Sequence, residues 1–168
     1  MNRSQFIKTG IGSAGTLMFP VTSVFSQPFS EKTQLDKKIV AEFVGAGHGK
    51  FDKVKELLEE YPTLLNAAHD WKNGDFETAL GAASHVGYKE LATFLIDKGA
   101  QANIFTAALF GRIDIIKPTL SFFPNALHAK GPHGFTLLHH AERGGDEAKE
   151  VKDYLISLGA TETKIQLY

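Results

Sequence analysis

The stretch Thr78–Asn103 reads TALGAASHVGYKELATFLIDKGAQAN, and its punctuation decides how the chain folds. Thr78 opens a short run of small residues, Gly81-Ala82-Ala83-Ser84, which ends at Gly87. Glycine supplies the positive backbone angle that a tight turn between two packed helices needs. Beyond it, Tyr88, Leu91, Phe94 and Leu95 recur at spacings of three and four, so they share one face of a second helix. Lys98-Gly99-Ala100 closes the unit. The pattern predicts one helix-turn-helix pair with a buried inner face.

The same turn recurs elsewhere. Gly49-Lys50-Phe51-Asp52, Gly87-Tyr88-Lys89-Glu90 and Gly111-Arg112-Ile113-Asp114 share Gly-x-x-acid, and Gly145-Asp146-Glu147 carries its acids one step early. An acid in the first turn of the second helix is favoured by the helix dipole. Each glycine precedes an apolar stripe: Phe51, Val54, Leu57 and Leu58; Ile113, Ile116 and Leu120; Ala148, Val151, Leu155 and Leu158. A single pair cannot bury such a face alone, whereas neighbouring pairs can bury it together. The opening helix of the first unit, Asp36 to Ala46, has a polar side suited to an end cap.

These units resemble ankyrin repeats. Thr78 and Leu80, Ala83-Ser84, Gly87 and Gly99-Ala100 stand at that family's signature positions. Ala79 replaces its proline and Gly81 its histidine. Thr136-Leu137-Leu138-His139-His140-Ala141, Gly145, Leu155-Ile156 and Gly159-Ala160 match more closely, and the resemblance covers roughly 36–163. It implies an all-α solenoid of about four helix-turn-helix units that binds another protein and is not an enzyme. The turn glycines are separated by 38, 24 and 34 residues, against a regular period of about 33. Tyr61-Pro62 and Phe123-Pro124 end the first and third units alike, so the sequence repeats by pairs. Long finger loops are expected at 66–77 and 125–135, with almost none between them, where Asn103-Ile104-Phe105 runs straight into a helix. The short middle connection leaves a notch whose floor carries Phe105 and His85.

Composition narrows the function. Hydrophobic content of 43% suffices for a packed core, and a net charge of −1 gives no global field for nucleic acid. The absence of cysteine excludes disulfides, thiolate catalysis and cysteine-ligated zinc. No nucleophile elbow or phosphate loop is present, and no cofactor is expected. Residues 1–26 have the three-part order of a secretory signal: Arg3 and Lys8, a weakly apolar run, then Val24-Phe25-Ser26 before Gln27. Arg3 to Lys8 also resembles the twin-arginine export motif, with Ser4 in place of its second arginine. Export to a periplasmic or extracellular compartment is the expectation, with cytoplasmic residence as the alternative. Glycines 10, 12 and 15 and Pro20 argue against a membrane span, so no stable span is expected once the signal is removed. Residues 27–35 read as a linker, and 164–168 as a tail that frays beyond Gly159.

The expected partner surface lies on the fingers and the notch between them: Asp70, Trp71, Phe76, His85, Phe105, Lys130, His133 and Phe135. Trp71 is the only tryptophan, and it lies in a polar loop. A ring in such a place either staples the loop to its own body or anchors a partner. Among the seven histidines, His139 matches the family's structural histidine, His140 is expected against a neighbouring unit, and His48 on the surface. No metal site is expected, because the loop histidines lack the tight spacing that presets ligands on one helix face. The alternative is a metal-binding or enzymatic notch built from His69, Asp70, His85 and His133. Phe94, Phe110 and Phe122-Phe123 are expected in the core.

Overall fold

The computed structural model describes residues 34–168, so the expected export signal and most of the expected linker lie outside the described residues. The first helix, α1 (Lys37–Ala46), starts where the Asp36 carboxylate accepts from the Lys38 N–H at 2.7 Å. It turns Val40, Phe43, Val44 and Ala46 inward. Helix α2 (Phe51–Glu60) returns with Asp52 in its first turn, and a 3₁₀ turn follows at Pro62–Asn66. Strands β1 (Ala68–Asp70) and β2 (Phe76–Thr78) then form an antiparallel hairpin, with His69 opposite Glu77. The remaining helices are α3 (Ala79–Val86), α4 (Lys89–Asp97), α5 (Ile104–Leu109), α6 (Ile113–Phe122), α7 (Leu137–Gly144) and α8 (Lys149–Ser157). The fold is mostly helical rather than all-α, because the first finger is long enough to pair with itself.

Helices α1, α3, α5 and α7 pack against one another in chain order, and each also carries its own returning helix. The small residues explain this. Ala82, Ala83 and Ser84 on α3 and Thr106, Ala107 and Ala108 on α5 are buried, which lets the backbones approach. Ser84 Oγ meets Thr106 Oγ1 at 3.0 Å, so both buried hydroxyls are satisfied. Gly87 ends α3 at φ 80°, a backbone angle that L side chains rarely adopt, and a methyl group there would press on the Arg143 side chain and carbonyl at 3.3 Å. Asp52, Glu90 and Asp114 occupy the expected first turns, while Asp146 and Glu147 fall in a 3₁₀ turn ahead of α8. Among the described residues no helix is long and apolar enough to cross a membrane.

Three expectations are corrected. Phe122 and Phe123 are 81% and 68% exposed, because α6 ends there with Leu120, not these rings, on its buried face; Phe94 and Phe110 are partly buried against the core. Leu158 also faces outward, one residue past the end of α8. The tail does not fray. Thr136 N–H donates to the Thr163 carbonyl at 3.1 Å, Ile165 N–H to the Gly134 carbonyl at 2.8 Å, and Phe135 pairs with Lys164 in an antiparallel bridge.

Candidate metal centre

The first finger builds the floor of the site. Its tip turns at Asn73 and Gly74, both at positive φ, with Trp71 N–H donating to the Asp75 carbonyl at 3.0 Å. Strand alternation then sends Phe76 out, at 61% exposed, and Glu77 in, at 1%. A buried carboxylate is costly unless it is paired. Glu77 Oε2 accepts from the Trp71 indole N–H at 2.7 Å. That bond turns the indole inward, against Gly45 on α1, which is the staple geometry rather than the anchor.

Three histidines complete the cluster. His85, near the end of α3, places Nδ1 2.9 Å from Glu77 Oε1, but the two are not aligned as a hydrogen bond, and both atoms are buried without a hydrogen-bond partner. His48, after α1, has Nε2 3.5 Å from Glu77 Oε2, and His133 in the second finger has Nε2 3.4 Å from the same oxygen. One ligand atom from each of His48, Glu77, His85 and His133 lies within 4.8 Å of every other. Glu77 and His85 form a buried floor, whereas the His48 and His133 side chains form a rim 32% and 27% exposed.

The tautomers follow from the outer partners. His48 Nδ1 faces the Gly45 carbonyl at 3.2 Å, and His133 Nδ1 faces Asp75 Oδ2 at 2.8 Å. Both partners accept only, so each Nδ1 carries a hydrogen, and each ring turns its Nε2 toward the Glu77 carboxylate. Asp75, itself buried, also accepts from the His133 backbone N–H at 2.8 Å. A carboxylate behind an imidazole that faces a common centre is the usual outer arrangement of a metal-ligating histidine. Ligands about 2.1 Å from a tetrahedral ion are about 3.4 Å apart, close to the distances of both rim nitrogens from Glu77.

Of the four residues of the alternative metal reading, His85 and His133 meet here. His69 instead packs edge-on to Trp71 with ring centres 4.7 Å apart, and Asp70 accepts the Gly74 N–H within the hairpin turn. His48 was expected on the surface, but the α1–α2 turn folds it into the cluster. Glu77 was unsuspected; strand alternation beside the solvent-facing Phe76 is the signal that could have found it. The expected partner surface divides. Phe76, Phe105 and Lys130 line a cleft of about 230 Å³ between the fingers, the anticipated notch. His85 lies in the cluster rather than on the notch floor. Phe135 stacks between His85 and His139, at 5.0 and 4.0 Å.

His139 and His140 brace the scaffold. His139 Nε2 bonds the His85 carbonyl at 2.8 Å, and burial lowers its pKa. His140 Nδ1 donates to the Thr136 carbonyl at 2.7 Å, and burial lowers its pKa to about 4. No protein-family model matches the chain, and a search of curated proteins finds no significant match, so a functional reading rests on this geometry.

Proposed function

We propose that this protein binds a divalent first-row transition metal ion through His48, Glu77, His85 and His133, on a solenoid of ankyrin-like helix pairs whose two fingers close over the ion. The observation that carries the reading is the buried Glu77 carboxylate, faced by the Nε2 atoms of two imidazoles and by the His85 Nδ1, which has no hydrogen-bond partner among the described residues. A metal ion held among these atoms would join the imidazole nitrogens to the carboxylate. Three nitrogens, one oxygen and no sulfur suit zinc, cobalt, nickel, copper or ferrous iron, not the all-oxygen cages of calcium or magnesium.

The test is the metal content of protein purified without added metal, followed by chelation and zinc titration. About one equivalent is expected. Zinc at a hundred times its dissociation constant should raise the melting temperature by roughly 5–10 °C. Metal-free protein whose melting point ignores zinc would reject the reading. Trp71, as the only tryptophan, reports the titration directly, since its ring lies about 6 Å from those of both His48 and His133.

A second reading, recognition of another protein through the fingers, is favoured by the cleft that joins exposed Phe76 to Phe105 and Lys130. Photo-crosslinking from position 76 tests it; a folded, abundant protein giving no adduct would remove that surface from consideration.

A further inference from the structure

The second finger presents His133 in a conformation it does not hold unaided. His133 has φ 57°, in the left-handed region that L side chains rarely adopt. Asp75 grips it from the first finger through both the backbone N–H and Nδ1. The residues on its C-terminal side are held by the end of the chain. Gly134 gives its carbonyl to Ile165 N–H at 2.8 Å, and a methyl group on Gly134 would meet the Ile165 carbonyl oxygen at 1.9 Å. Phe135 lies in the bridge to Lys164, whose ammonium sits 4.7 Å above its ring centre. That ring in turn stacks on His85. On the other side of the finger, Lys130 Nζ donates to the Gln166 carbonyl at 2.9 Å. The last residue reaches the first finger, where Tyr168 OH donates to the Lys72 carbonyl at 3.1 Å.

We infer that residues 164–168 are a clasp that positions His133 and the Phe135–His85 stack for the ion, so that the C-terminus sets metal affinity without supplying a ligand. This inference rests on the metal reading above. None of the five residues packs into the helical core, and Thr136, which caps α7, bonds to Glu162 and Thr163 instead. The clasp can therefore be removed without uncapping a helix.

Two variants test it in the full protein: deletion of 164–168, and Ile165→Pro, which keeps the chain length but removes the N–H donated to Gly134. The helical circular dichroism of the metal-free protein should not change. Zinc affinity, read from Trp71 fluorescence, should fall about 10- to 100-fold, the usual effect of losing an outer-shell support. The ligand-field bands of the cobalt form should shift as His133 reorients. Nitrogen-detected imidazole NMR of the metal-free protein gives a second readout: the His133 Nδ1 proton, held by Asp75 in the intact chain, should be lost to fast exchange in both variants. Unchanged affinity in both variants would overturn the clasp. If the intact chain takes up no metal, the metal reading falls, and an unchanged His133 proton in both variants would then overturn the clasp as well.

Discussion

The first finger hydrogen-bonds to itself, whereas the second borrows its strand partner from the far end of the chain. They begin alike. Tyr61 and Phe123 both leave a helix at φ −128°, with ψ 77° and 71°, and each enters a five-residue 3₁₀ turn through a proline. Ala67 and Ala129 then exit with ψ 141° in both. From there the first has room and an Asn73-Gly74 turn for a hairpin. The second reaches Thr136 sooner, through Gly131-Pro132, and pairs Phe135 with Lys164. The self-sufficient finger supplies the buried floor of the site, Glu77, and its two supports Trp71 and Asp75. The borrowed one supplies His133 on the rim, its side chain 27% exposed. The buried carboxylate sits on backbone that closes locally, and the rim histidine on backbone held by a distant segment of the chain.

Breaking the floor should have the largest effect. Glu77→Gln keeps an acceptor for Trp71 but removes the central charge, and metal affinity should fall by roughly 1,000-fold or more in a competition titration. The metal-free variant should be as stable as the parent or more so, because a buried charge lacking full compensation is gone.

Acid should act on the foot of the second finger alone. His140 is buried there, where the corresponding place below the first finger holds Ala82. Its folded pKa, about 4, lies below the ordinary 6.5, so the unfolded chain binds the extra proton. Stability is therefore complete above about pH 6.5 and is lost as pH falls toward 4, by about 3 kcal/mol in all. Urea unfolding at pH 7 and pH 4.5 measures this, and His140→Gln should flatten the difference.

The link between the fingers comes next. Asp75→Asn weakens the hold on His133 and should reduce zinc affinity about 10- to 100-fold. Trp71→Phe withdraws the indole N–H donated to Glu77 and should cost about 1–3 kcal/mol of stability in urea unfolding, felt in the first finger and not in the second. The smallest effect belongs to Phe122→Ser, at an exposed ring that packs on nothing, where unfolding should change by less than about 0.5 kcal/mol.

Much of the fold was legible in residue types at fixed offsets. Gly87 with its following stripe marked α3 and α4, and Asp36 the start of α1; the helix expected from Thr106 begins two residues earlier, at Ile104. The paired Tyr-Pro and Phe-Pro endings marked both fingers. The site was half legible. His85 and His133 were considered together because both flank the predicted notch. His48 was missed because a residue beside a turn glycine looks exposed until the hairpin folds over it. Glu77 was missed because a single acid in a loop looks solvated, and only pairing with β1 fixes which side of the strand it faces. Phe122 and Phe123 fitted helical spacing, but spacing cannot show that a helix ends before any neighbour covers it.

What the sequence determined by itself is therefore local: where helices start and stop, which faces are apolar, and where the chain must turn. Those follow from backbone sterics, capping and periodicity, which act within a few residues. The convergence of His48, Glu77, His85 and His133, and the return of Ile165 to Gly134, join residues far apart in the chain. Only tertiary packing decided them, because burial and the pairing of lone pairs depend on what the rest of the chain brings alongside.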